Sequence, residues 1–124
     1  MEGRKVYYGT KRVEAWPKEA INGPGYAVRY SDGYESWSPE DTFEAAYRPS
    51  SCMGFEGALA AMREGRRVRR IGIDAAGISI WLNNGTFYCQ REGTYAGVWW
   101  PNPDSLLADW MVVEVSPEHT GWVG

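Results

Sequence analysis

Met53-Gly54-Phe55-Glu56-Gly57-Ala58-Leu59-Ala60-Ala61-Met62, with Gly65-Arg66-Arg67-Val68-Arg69-Arg70 just behind it, is the stretch that decides the fold. Phe55, Ala58, Leu59 and Met62 fall at i, i+3, i+4 and i+7, the spacing of one buried helix face. Gly65 ends that helix, because a residue without Cβ accepts the left-handed turn that closes it. Arg66 to Arg70 then reads as a strand. Arg66, Val68 and Arg70 share one side of it, and Arg67 and Arg69 share the other. A helix that must bury one face, followed by strands, calls for a sheet to receive it.

The strands follow. Ile78 to Leu82 is one, Asn83-Asn84-Gly85 is a hairpin turn that tolerates positive φ, and Thr86 to Gln90 pairs back. Thr94 to Trp100 is a further strand loosened by Gly97. Asn102-Pro103-Asp104-Ser105 has the cap, proline and acid of a helix start, and the helix runs through Ala108. Met111 to Val115 closes the sheet. Ahead of residue 53 the pattern describes a smaller module. Lys5 to Tyr8 is a short strand, Tyr26 to Tyr30 alternates, Ser31-Asp32-Gly33 turns, and Tyr34 to Trp37 returns. Ser38 caps a helix with Pro39 at its first position and Phe43, Ala46 and Tyr47 as its stripe. The sequence is therefore α+β: a small antiparallel β-sheet packed with a helix (53–116), preceded by a strand, hairpin and helix module (1–49) and followed by a tail (117–124).

Composition narrows the function. The 124 residues carry a net charge of −3, which is wrong for a general nucleic-acid binder. The start is polar and leads into no apolar leader, and no apolar run approaches the ~20 residues that span a bilayer. A cytoplasmic protein is expected, with Cys52 and Cys89 as reduced packing residues. His119 is the sole histidine and lies in the tail, so a histidine-based triad would have to depend on it. Two cysteines and one histidine make no zinc site. Gly23-Pro24-Gly25 is a turn, not a dinucleotide fingerprint, and no P-loop element occurs. No catalytic residue, metal ligand or cofactor is expected. Carboxylate acid–base chemistry needs only two side chains, but nothing in the sequence selects a pair.

What remains is binding chemistry. Arg66 and Arg70 flank the inward Val68 and are placed to reach a pocket, where a guanidinium fork matches phosphate oxygens. Arg67 and Arg69 fit a charged, solvated strand edge equally well. Of Trp99 and Trp100, one points into the core and the other lines a groove, where an indole face can stack on a base. The helix start at Asn102 offers N–H groups to an anion, although Asp104 already places a negative charge in its first turn.

These motifs resemble those of the second Thoeris anti-defence family, small phage proteins that trap immune nucleotide signals. The similarity runs from Met53-Gly54-Phe55-Glu56-Gly57-Ala58-Leu59 through Gly65-Arg66-Arg67-Val68 and Arg70 to Trp99-Trp100-Pro101. It closes on Leu106-Leu107-Ala108-Asp109-Trp110 and Val112-Val113-Glu114. Gly72-Ile73 stands where the family has Gly-Trp, Ser105 stands where it has Asp, and one residue fewer separates Ala108 from Asp109-Trp110. The earlier module, with Tyr30-Ser31-Asp32-Gly33-Tyr34 and Ser36-Trp37-Ser38-Pro39, is similar to a segment that recurs in small phage proteins. The resemblance implies a non-enzymatic sponge in the cytoplasm of an infected bacterium. It would sequester a cyclic ADP-ribose isomer or a cyclic oligonucleotide, as a homo-oligomer (dimer or tetramer) with pockets at subunit interfaces and no nucleic-acid polymer or membrane as partner. The candidate ligand-binding set is Phe55, Arg66, Arg70, Trp99, Trp100, Pro101, Asn102, Asp104 and Ser105. A protein-interaction module, using Trp, Tyr and Arg as interface anchors, is the alternative, and a carboxylate-based hydrolase ranks behind both.

Overall fold

The computed structural model describes residues 3–113. Glu114, Val115, the tail 116–124 and His119 with it lie outside the described residues. The chain is α+β and falls into two compact units that divide between Tyr47 and Arg48.

The first unit is a three-stranded antiparallel sheet in the order β1 (Glu14–Pro17), β2 (Gly25–Arg29) and β3 (Glu35–Pro39), followed by α1 (Glu40–Ala46). The β2–β3 hairpin forms around Asp32, whose Oδ1 accepts the Tyr34 N–H at 2.9 Å, and Gly33 at φ +90°. The opening strand is not Lys5–Tyr8. Those residues form no strand and leave Val6, Tyr7 and Tyr8 exposed. Glu14–Pro17 takes the place instead, because it sets Trp16 across from Ala27 and puts Pro17 on an edge strand. Ser38 does not cap α1. It lies in β3 opposite Tyr26, and Pro39 occupies the cap position with no side-chain hydrogen bond. Of the expected stripe, Phe43 stacks on Tyr26 with ring centroids 4.4 Å apart and on Tyr47 at 4.9 Å.

The second unit opens with α2 (Phe55–Arg63) and continues through β4 (Arg67–Arg70), β5 (Ile78–Asn83), β6 (Thr86–Arg91), β7 (Gly97–Val98), α3 (Pro103–Leu107) and β8 (Trp110–Val113). Its five strands are antiparallel in the order β7-β6-β5-β4-β8. α2 forms because its apolar residues share one face, and it ends at Gly65, φ +88°. Ala58 and Met62 are buried against Val68, Ile80 and Trp110, with Phe55 and Leu59 half-buried beside them. The β5–β6 hairpin turns at Asn84 (φ +50°) and Gly85 (φ +80°), the left-handed pair that a two-residue turn requires.

Several boundaries differ from the sequence expectation by a residue or more, three of them with a local cause. Arg66 stays outside β4, because its N–H is held by the Ala61 carbonyl at the end of α2 (3.0 Å). The strand expected from Thr94 shrinks to Gly97–Val98, since Thr94 bonds back to the Arg91 carbonyl through both its N–H and its hydroxyl. Ala108 lies just past α3, its N–H closing on the Ser105 carbonyl. Residues ahead of α2 complete the sheet. Met53 exchanges two backbone hydrogen bonds with Trp110 (2.7 and 2.6 Å), and the Ser50 carbonyl accepts the Val112 N–H. No helix among the described residues is long and apolar enough to cross a membrane.

Candidate functional site

The alternation of β4 puts Val68 and Arg70 on the core side of the sheet. Both helices lie there, α2 over Val68 and Ile80 and α3 through Ser105. Arg70 sits opposite Trp110 of β8. Its guanidinium grips Asp74 side-on: Nε donates to Oδ2 at 3.0 Å and Nη2 to Oδ1 at 2.7 Å, while the Arg70 backbone N–H donates to Oδ2 at 2.8 Å. Nη1 donates to the Ser105 hydroxyl at 2.9 Å. Ser105 is fully buried. Its N–H and hydroxyl both donate to Asn102 Oδ1, at 2.8 and 2.9 Å, and its carbonyl accepts the Trp110 Nε1–H at 3.0 Å.

An aromatic cluster lies under this network. Trp110 meets Phe55 and Trp99 edge-on at 5.6 and 5.8 Å, Trp99 meets Phe87 at 5.7 Å, and the Arg70 guanidinium lies 5.6 Å from the Trp99 ring. Charge is balanced internally. The hydrogen bond to Asp74 raises the Arg70 pKa above its ordinary value, against the effect of burial. For Asp74, burial pushes the carboxyl up, but the Arg70 side-chain and backbone bonds and the nearby Arg70 and Arg69 charges together pull it below the usual carboxylate value.

Phe55, Arg70, Trp99 and Ser105 are thus brought together around Trp110, and Asn102 joins them through Ser105. Within that set the polar groups already serve each other. The side-on edge of Arg70 is filled by Asp74, and the Asn102 side-chain oxygen is filled by Ser105. Trp99 is the inward member of the Trp pair and Trp100 is the outward one, 78% exposed. Pro101, Asn102 and Asp104 are exposed as well. Arg66 is exposed and apart from the cluster, on the turn after α2.

Sequence reading missed two partners here. Asp74 was visible only as an acid four residues after Arg70, past a turn at Gly72. Trp110 was quoted for its motif but not for its place in the network. Among the described residues, no three His, Cys, Asp or Glu side chains come together as a metal site would require, and both cysteines are free and half-buried.

The other side of the same sheet holds a second arrangement. The Arg67 guanidinium carbon lies over Trp81, 3.7 Å from the ring centroid, and Trp81 stacks on its cross-strand neighbour Tyr88 at 6.0 Å. Arg67 Nη1 donates to Ser79 Oγ and to Gln90 Oε1, both at 3.1 Å. Gln90 is itself fixed, donating to the Thr94 carbonyl at 2.6 Å. Burial lowers the Arg67 pKa, and no carboxylate among the described residues pairs with it. The signal in the sequence was the alternation of Arg67 with Val68, but a solvated strand edge has the same pattern. Comparison with protein families, with characterised proteins and with solved structures finds no match to this chain.

Proposed function

We propose that this protein binds a host immune nucleotide signal, a cyclic ADP-ribose isomer or a cyclic oligonucleotide, and sequesters it without changing it. The observation that carries the reading is Trp100, an indole ring 78% exposed that directly follows the Trp99 of the Arg70–Ser105–Asn102 cluster. A flat ring displayed beside a rigid framework is suited to stacking on a base, and such a ring contributes about 1–3 kcal/mol per base. The resemblance of residues 53–114 to the anti-defence family supports the same reading. Such a sponge acts stoichiometrically in the cytoplasm of the infected cell, as a homo-oligomer with its ligand between subunits, and works through affinity and abundance.

The experiment is to incubate the protein with each candidate signal, remove unbound ligand, denature, and identify what is released. Intact ligand in stoichiometric amount is expected. Recovery of a converted product, or no retention of any candidate, refutes the reading. Trp100→Ala should weaken retention about ten- to a hundredfold while leaving the fold intact.

One observation favours a second reading as a protein-interaction module. Trp100, Leu106, Leu107 and Ile73 are all exposed apolar side chains of the second unit. Aromatic anchors set among apolar neighbours are what interface hot spots use. A module of that kind would retain no nucleotide in the same assay.

A further inference from the structure

We infer that the Nε/Nη2 edge of Arg67, on the sheet face opposite α2, is a binding site for a phosphate group. Two of the three arginines of β4, Arg70 and Arg67, make the case between them. In Arg70 this edge is closed by a carboxylate, with Nε and Nη2 each donating to one oxygen of Asp74. In Arg67 the guanidinium is held just as firmly by its other parts. Nη1 is tied to Ser79 and Gln90, and the guanidinium carbon sits 3.7 Å over the Trp81 ring centroid. Its Nε and Nη2 donors meet no acceptor among the described residues. A half-buried guanidinium with a vacant fork is a preorganised receptor, because the entropy of fixing the side chain is already lost before the ligand arrives.

The face around Arg67 selects the class of anion. The register places Arg67, Arg69, Ser79, Trp81, Tyr88 and Gln90 on one side of the sheet. The strand residues sharing that side, Asn83, Thr86, Val98, Met111 and Val113, add no carboxylate. Arg69, on the same side, already donates to the Asp74 carbonyl at 3.3 Å and lies near the Asp74 charge, so Arg67 is the cation that offers its fork. With no carboxylate paired to it among the described residues, Arg67 favours a dianion over a monoanion, so a phosphate is preferred to a carboxylate. This site goes beyond the nucleotide reading. It requires only the phosphate, and none of its contacts involves Trp100.

The test is a titration of the whole protein with inorganic phosphate and, separately, with acetate, following arginine Nε–H resonances by NMR. The Arg67 signal is identified by its loss in Arg67→Lys. It should shift saturably with phosphate and respond more weakly to acetate. Arg67→Lys keeps the charge but not the fork, so phosphate affinity should fall about tenfold. Gln90→Ala, which frees Nη1, should weaken it several-fold. An Nε–H signal that does not move in the wild-type protein, a preference for acetate, or wild-type phosphate affinity in Arg67→Lys each overturns the inference. The wild-type titration needs no variant to fold. If no nucleotide signal is retained but the Arg67 signal still saturates, the sponge reading fails and this site stands. If a nucleotide is retained while the Arg67 signal stays still, the reverse holds.

Discussion

Asp74→Asn tests the central network most directly. The substitution keeps the side-chain shape but removes the charge and one of two acceptor oxygens. Asp74 accepts three hydrogen bonds, all from Arg70, and the side chains of the pair are only 8% and 15% exposed. Removing one member of a fully buried ion pair costs about 3–5 kcal/mol. The remaining exposure of Arg70 lets water reach part of its fork, and the amide oxygen retains some of the bonding. The expected loss is therefore about 2–3 kcal/mol at neutral pH.

The pH dependence gives a second, independent check. The folded state holds the Asp74 carboxyl below its ordinary value. A depressed carboxylate contributes stability that is fully present above the unfolded pKa, about 3.9, and is lost as pH falls through the folded value. Asp74→Asn has no such group, so the gap between variant and wild type should stay constant from neutral down to about pH 5 and then close in stronger acid. Urea unfolding followed by tryptophan fluorescence reads both, since Trp99 and Trp110 lie beside the network. A loss under about 1 kcal/mol, or a gap that persists undiminished near pH 2, would show that Arg70 and Asp74 are not the pair described.

Four further outcomes are expected. Trp99→Ala should cost about 3 kcal/mol of stability while Trp100→Ala stays within about 0.5 kcal/mol, and equal losses in thermal melts would contradict their placement. Ser105→Ala should cost about 1–3 kcal/mol in urea unfolding, because it strips a hydroxyl that serves both Arg70 and Asn102 in a fully buried position. Asn84→Gly should be close to neutral in thermal melts, whereas Asn84→Val should cost about 1–2 kcal/mol at φ +50°. Light scattering at micromolar concentration should give at least a dimer, and a clean monomer would remove the interfacial pocket from the sponge reading.

Local chemistry was the legible part. The Phe55/Ala58/Leu59/Met62 spacing, the closing glycine at Gly65, the Asn84-Gly85 turn and the Asn102 cap each depend on neighbours within a few residues, and each is where the sequence puts it. Lys5–Tyr8 failed for the opposite reason. Strand formation there depended on a partner elsewhere in the chain, and Trp16 offered β2 the better one. Ser38 had two uses, as a helix cap or as a rung of β3, and only the paired sheet decides between them. The functional residues divide in the same way. That one Trp of the pair faces out follows from alternation, but which one depends on the Phe87–Trp99–Trp110 packing. That Arg70 has a carboxylate in its fork, and Arg67 has none among the described residues, is a matter of which acid the turn after β4 returns to the sheet. Five consecutive residues with four arginines do not encode it.

The backbone bonds from Ser50 and Met53 to β8 bear on how copies of this chain can meet. At Trp110 and Val112 the outer N–H groups of that strand are already taken, and at the far end of the sheet β7 offers two residues. A neighbouring molecule therefore finds no long ladder to extend at either margin of the five-stranded sheet among the described residues, which disfavours fibre-like fusion through that sheet. Association through this sheet then proceeds by its side chains, where shape and charge limit it to a finite number of copies. The sponge proposed above would have to accumulate to high concentration and would gain from that restriction, because crowding then favours closed assemblies over open-ended growth.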